Sequence, residues 1–191
     1  AYEIGVRLGG LGDVYKRQDE SHKSFEKEYL RVKNVLFGLL DSPVKYTQHI
    51  GGTRHFNYET EPILDVLVGV DNLHDITALD EKRLNYAGFY RLHHSYKKKV
   101  MMARFNNFNE LKQEVRLHII QLNTPLFEQY QNVDKVLSQD NEISQLFSKK
   151  KQDILKHVQT IRMYENQKQN LFEKIHKQLS CLLYTSDAAD E

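Results

Sequence analysis

The chain has 191 residues, with 27 Lys and Arg, 26 Asp and Glu, and a single cysteine. A net charge of +1 argues against nucleic acid as a main partner, because tracking a phosphate backbone requires a strong basic surplus. No apolar run approaches the ~20 residues of a membrane-spanning helix. The composition therefore indicates a globular protein of ordinary size.

Two segments near the chain ends resemble translated adapter DNA. The segment DVYKRQ, residues 13–18, back-translates to GATGTGTATAAGAGACAG. The complementary strand, read with a shift of one base, encodes CLLYTS, residues 181–186. Because one short sequencing adapter explains both peptides, we expect residues 1–18 and 181–191 to be non-native tails. Residues 19–180 then form a single domain.

The remaining 162 residues carry 24 Lys and Arg, 21 Asp and Glu, and no cysteine. No disulfide, thiolate metal site or cysteine nucleophile is therefore available, which suits a cytoplasmic protein. A charge of about +3 still argues against nucleic acid. Nothing favours a membrane, and no protein partner is indicated.

The first half of this domain alternates helix and strand. Apolar residues at spacings of three and four favour an amphipathic helix, and continuous apolar runs favour buried strands. The predicted elements are helix 20–40, strand 45–50 ending at Gly51-Gly52, polar loop 53–61, strand 63–70 and a helix from Asn72 or Asp75 to about residue 85.

The second half predicts three antiparallel strands and then helices. Polar turns separate the strands, and Thr124-Pro125 has the pattern of a helix start. The predicted strands are 86–92, 100–105 and 115–122. Of the three predicted helices, the first begins near residue 124, the second begins at Asp140 or Asn141, and the third ends near Leu179. The order predicts an α+β fold, a mixed sheet with a helical C-terminal portion.

Asp65 interrupts the apolar strand EPILDVLVGV. A buried carboxylate costs several kcal/mol unless it is compensated. Three interpretations are open: a solvated strand end, an ion pair with Arg104 or Arg116, or a metal cation.

Gly51 and Gly52 end the preceding strand. Glycines let backbone N–H groups turn toward an anion, and a carboxylate on the next strand can hold Mg²⁺ bound to the same phosphates. Plain turn glycines give the same pattern. Likewise, His49 and His118 are consistent with metal or phosphate binding, although histidines on strands are more often core residues than ligands.

The segment HIGGTRHFNYETEPILDVLV, residues 49–68, resembles the signature HIGSTSVPGLAAKPIIDILV of the GrpB family, a branch of the nucleotidyltransferase superfamily with a polymerase-β-like fold. The resemblance continues in FEKE (25–28), RLHII (116–120) and DNEISQLFSKKK (140–151), and in Tyr164 and Lys168. It implies a nucleotidyltransferase-like mixed sheet flanked by helices.

The resemblance also implies binding of a Mg²⁺–nucleoside triphosphate, with nucleotidyl transfer to an acceptor that the sequence does not identify. Asp65 and His118 are the expected catalytic residues and Mg²⁺ ligands. The residues expected to bind the nucleotide are Gly51, Gly52, Thr53, His49 and Arg104.

The sequence departs from the signature at positions that bear on the expected activity. Gly52 replaces serine, Glu61 replaces a lysine beside the expected phosphate site, and Arg116 replaces a histidine. Two-metal chemistry requires a second carboxylate on the same strand face, and Leu67 occupies that position. The alternative is a non-catalytic interaction or regulatory module that retains the fold.

Overall fold

The computed structural model divides into two compact units, residues 1–127 and 128–191. The ranges that it describes are 18–55, 58, 60–76, 78–92, 96–107, 109–159 and 161–187. Residues 1–17 and 188–191 of the expected tails lie outside these ranges, and so do His93 and His94 of the predicted turn. Among the described helices, none is both long and apolar enough to cross a bilayer.

The first helix, α1 (Gln18–Phe37), follows the predicted apolar spacing. Val32 and Leu36 are completely buried in the core of the first unit. The helix stops shortly before the predicted boundary because Ser42 donates its hydroxyl to the Leu36 carbonyl oxygen at 2.6 Å. This bond satisfies a carbonyl at the helix end that has no partner within the helix.

Five strands form one mixed sheet. They are β1 (Val44–Ile50), β2 (Leu64–Val70), β3 (Tyr90–Arg91), β4 (Lys99–Phe105) and β5 (Gln113–Gln121). Their spatial order is β1-β2-β5-β4-β3, and only the β2–β5 pair is parallel. The antiparallel pairing of β3, β4 and β5 agrees with the sequence, and the mixed sheet with flanking helices confirms the predicted α+β class.

The two faces of the sheet differ in chemistry. Val66 and Val68 of β2 lie in the same apolar cluster as α1. Asp65 alternates with them along the strand and therefore points to the opposite face. The parallel register aligns Asp65 with Arg116 and Leu67 with His118. We call this side, which carries Asp65, Leu67, Arg116 and His118, the Asp65 face.

Two predicted segments between the strands were wrong in detail. The polar loop over 53–61 contains a short helix, α2 (Gly52–His55). The helix predicted from Asn72 or Asp75 is two elements, a 3-10 turn (Leu73–Asp75) and α3 (Ala78–Tyr86). Asn72 caps the first of these, because its side-chain oxygen accepts a hydrogen bond from the His74 N–H at 3.0 Å.

The strand predicted over 86–92 was also wrong, since only Tyr90–Arg91 pairs with β4. Helix α3 continues to Tyr86, and Gly88 then adopts a φ of +88°. That left-handed conformation suits glycine and ends the helix in a turn. Phe89 is buried directly after it, so its apolar character reflects the core rather than a longer strand.

The second unit contains helices throughout its described length. The helices of this region are α4 (Pro125–Gln139), which starts in the first unit, α5 (Asn141–His157) and α6 (Ile161–Asp187). Asp140 caps α5 by accepting a hydrogen bond from the Ile143 N–H at 2.9 Å. Tyr130 and Phe172 pack with ring centroids 4.9 Å apart. Helix α6 continues past the expected boundary at residue 180.

Candidate functional site

The bend after β1 lies directly against Asp65. Gly51 has a φ of +80°, a conformation that L side chains rarely adopt. A Cβ added at Gly51 would lie 3.5 Å from Asp65 Oδ2. The backbone of the bend therefore approaches the carboxylate with no side chain between them.

Two residues of β5 contact the same oxygen of Asp65. His118 Nε2 lies 2.8 Å from Asp65 Oδ1, and Arg116 Nε lies 3.3 Å from it. The parallel register places all three side chains on the Asp65 face. Of the three interpretations drawn from the sequence, the ion pair with Arg116 is therefore present, and His118 adds a hydrogen bond to it.

Burial lowers the pKa of His118 below its usual value of about 6.5. The hydrogen bond and charge of Asp65 raise this pKa, while the positive charges of Lys99 and Arg116 lower it further. Burial is the largest effect, so the imidazole is neutral near pH 7. A neutral ring facing a carboxylate at 2.8 Å donates its proton from Nε2, which leaves Nδ1 as the acceptor.

Arg116 also contacts a second carboxylate. Its Nη2 donates to Glu61 Oε2 at 3.1 Å. The Arg116 side chain is 14% exposed, whereas that of Glu61 is 48% exposed. The Arg116 guanidinium is thus shared between half-buried Asp65 and solvent-accessible Glu61. The GrpB signature has a lysine at the position of Glu61.

His49 and Arg104 lie on the other side of the sheet. His49 pairs with Val66 and Arg104 pairs with Val115, so both point away from the Asp65 face. Arg104 Nη2 instead donates to Glu28 Oε1 of α1 at 2.6 Å. The structure does not bring either residue to the carboxylate, and the expected pairing of Asp65 with Arg104 is replaced by the pair with Arg116.

Thr53 is beside the bend, but its hydroxyl makes internal contacts. Thr53 Oγ1 donates to the Ile63 carbonyl oxygen at 3.3 Å and lies 3.0 Å from His49 Nε2. Thr53 is only 1% exposed. His49 also stacks on Tyr29 with centroids 5.6 Å apart. These contacts hold α2 to β1 and to the residue before β2, and they hold β1 to α1.

Among the residues expected to form the site, the structure brings together Gly51, Asp65 and His118, with Gly52 following in the bend. The sequence indicates Arg116 only as a possible ion-pair partner of Asp65, and it indicates no site role for Glu61 or Lys99. Alternation along β5 could have revealed Arg116, since residues two apart on a strand share a face. Lys99, expected in a turn, is the first residue of β4.

Within the described residues, no group of three or more His, Cys, Asp or Glu side chains could hold a metal ion. Asp65 supplies one carboxylate, and His118 Nε2 is directed at that carboxylate. One carboxylate fits a Mg²⁺ site of the kind in which phosphates of the substrate and water molecules supply the other ligands.

The mixed sheet and helices define an α+β domain, and the comparisons assign its family. The sequence matches the family model described as GrpB protein over residues 13–178, so the chain belongs to the GrpB family. The glutamate-rich protein GrpB of Alkalihalophilus pseudofirmus is 28% identical over 180 residues, which cover 90% of this chain and 97% of that protein.

A solved structure of a GrpB protein shows the same fold. A crystal structure of the conserved protein GrpB from Enterococcus faecalis matches with a TM-score of 0.63 at 20% identity, over 87% of this chain and 98% of that chain. The Cid1 poly(U) polymerase bound to MgATP matches with a TM-score of 0.43 at 17% identity, over 70% of this chain and 44% of that chain.

Proposed function

We propose that this GrpB-family chain binds a Mg²⁺–nucleoside triphosphate on the Asp65 face, at the bend formed by Gly51 and Gly52. The observation that carries the proposal is the close approach of Gly51 to Asp65. A Cβ on Gly51 would lie only 3.5 Å from Asp65 Oδ2. Backbone N–H groups of such a bend suit phosphate oxygens, and an adjacent carboxylate suits the metal that those oxygens bind.

The residues around Asp65 have separate roles in this proposal. Asp65 would hold the metal through its carboxylate, whose Oδ2 is the oxygen nearer the bend. His118 and Arg116 both contact Oδ1 and hold the carboxylate in one orientation. His118 is thus a positioning residue rather than a metal ligand, because its Nε2 is directed at Asp65.

The same residues favour binding over nucleotidyl transfer. A two-metal mechanism needs a second carboxylate beside the first. Leu67, the next residue of β2 on the Asp65 face, is completely buried. Transfer to an acceptor would therefore have to proceed with one metal ion held mainly by the nucleotide.

We also propose a cytoplasmic location, which the absence of cysteine from residues 19–180 supports.

The binding proposal is tested by calorimetric titration of Mg·ATP and Mg·GTP into the wild type and Asp65→Asn. We expect heat of binding for the wild type and its loss in the variant, because the amide is a poorer Mg²⁺ ligand than the carboxylate. Asp71→Asn is the matched control, since Asp71 is exposed and follows β2 directly. No heat with either nucleotide would contradict the proposal.

A second candidate function is a non-catalytic interaction module. The observation that favours it is the contact of Glu61 with Arg116 at 3.1 Å, which offsets the positive charge that a phosphate would meet. A thermal-unfolding screen over nucleotides and divalent ions separates the two candidates. A nucleotide-dependent rise of the midpoint that Asp65→Asn abolishes would exclude this second function.

A further inference from the structure

The two glycines of the bend approach different side chains. Gly51 faces Asp65, whereas a Cβ added at Gly52 would lie 2.5 Å from Thr60 Cβ and 2.6 Å from Thr60 Oγ1. Real Cβ atoms essentially never come closer than 3.0 Å to such atoms. Thr60 therefore fills the space where position 52 would otherwise carry a side chain.

Thr60 differs from Thr53 in what its hydroxyl can reach. Thr53 is buried, and its hydroxyl contacts His49 and the Ile63 carbonyl oxygen. Thr60 is half-buried, and its side chain lies against Gly52. The GrpB signature has a serine hydroxyl at position 52, and here the hydroxyl beside the bend comes from Thr60.

We propose that Thr60 is a ligand-binding residue whose hydroxyl donates a hydrogen bond to a phosphate oxygen held over Gly51 and Gly52. This inference rests on the proposed function, because it names the side chain that completes the phosphate site. Thr60 takes the role that the sequence analysis assigned to Thr53. Asp65 and Thr60 then lie beside consecutive residues of the bend, one toward the metal and the other toward the phosphate.

The ligand test compares the wild type, Thr60→Val and Thr60→Ser by calorimetry with Mg·ATP, Mg·GTP and magnesium tripolyphosphate. Valine keeps the branched shape and removes the hydroxyl, so we expect the Kd to rise at least about tenfold. Serine keeps the hydroxyl and should bind like the wild type. Because the contact is to phosphate, the loss should be similar for all three ligands.

The placement of Thr60 is tested without any ligand. Gly52→Ala introduces the Cβ that meets Thr60, so its unfolding midpoint should fall. The double variant Gly52→Ala/Thr60→Gly should lose less stability than the sum of the losses of the two single variants, because the added Cβ then has space. If Gly52→Ala is as stable as the wild type, Thr60 does not pack against Gly52, and the inference is overturned.

The outcomes separate this inference from the proposed function. A wild type that binds none of the three ligands overturns both. A wild type that binds, together with a Thr60→Val variant of unchanged Kd, overturns the role of Thr60 alone. Loss of binding in Thr60→Val with retention in Thr60→Ser supports the hydroxyl rather than the packing.

Discussion

Asp65 is compensated inside an apolar strand because β5 places two nitrogen atoms close to one of its oxygens. The contacts of 2.8 Å from His118 and 3.3 Å from Arg116 offset a desolvation cost of several kcal/mol. Arg116 is in turn shared with Glu61. The positive charge of Arg116 is therefore divided between Asp65 and Glu61, and under the proposed function Glu61 competes with the bound anion for this charge.

Replacing Glu61 should strengthen anion binding. In Glu61→Gln, Arg116 no longer contacts a second negative charge, so we expect the Kd for Mg·ATP to fall by up to about fivefold, as an exposed ion pair of at most ~1 kcal/mol allows. Glu114→Gln is the matched control, because Glu114 is 50% exposed and pairs with Arg104. Equal tightening in both variants would indicate net charge alone.

His118 should make the stability of the ligand-free protein depend on pH. Its pKa is lowered in the folded state, so below about pH 6.5 the unfolded chain binds a proton that the folded chain does not. The contribution of the neutral ring is complete above that pH. The free energy of unfolding should fall as pH decreases toward the folded-state pKa, by up to ~1.4 kcal/mol per pH unit.

Urea unfolding between pH 7.5 and 5, compared between the wild type and His118→Gln, measures this effect. Glutamine keeps a donor toward Asp65 but does not titrate. The charged groups acting on His118 are Asp65, Lys99 and Arg116, and all remain in the variant. Parallel pH profiles for the two proteins would contradict the assignment.

The sequence predicted Asp65 and the glycine bend, but it did not decide between Arg104 and Arg116 as the partner of Asp65 and did not pair Asp65 with His118 by a hydrogen bond. An Asp within an apolar strand shows that its charge needs a nearby cation or hydrogen-bond donor. Which residue supplies it depends on the register between neighbouring strands, which the sequence does not give. Arg104 and Arg116 both lie on strands next to apolar residues. Only the pairing of β2 with β5 places Arg116 on the Asp65 face and Arg104 on the opposite face.

At the scale of elements, strands of seven or more residues were the most predictable. The predicted strands 45–50, 63–70, 100–105 and 115–122 each agree with the structure within two residues at either end. The elements that failed are short, since α2 has four residues and β3 has two. Such elements form through contacts with the rest of the fold rather than through their own periodicity.

The cap of α5 allows a test at this scale. Asp140→Ala removes the oxygen that accepts from Ile143 N–H, and we expect the free energy of unfolding to fall by about 1 kcal/mol. Asp140→Asn should retain most of the stability, because it removes the same charge and keeps the acceptor. Equal losses in denaturant unfolding would mean that the charge at the helix end matters rather than the bond.

At the scale of the whole molecule, the expected tails remain a prediction. If residues 1–18 and 181–191 are adapter-derived, a chain of residues 19–180 should unfold at the same temperature as the full chain. Helix α6 continues to Asp187, so the C-terminal part is the more stringent case. A lower midpoint by calorimetry after removal of residues 181–191 alone would show that this segment contributes to stability.

The parallel contact between β2 and β5 also has a consequence for the order of folding. His118 and Asp65 are separated by 53 positions along the chain, and β3 and β4 are synthesised between them. Joining such distant segments is entropically costly and slow relative to hairpin formation. A nascent chain that ends before β5 holds Asp65 without either basic neighbour. Emergence of β5 from the ribosome is thus the event that completes the contacts of Asp65.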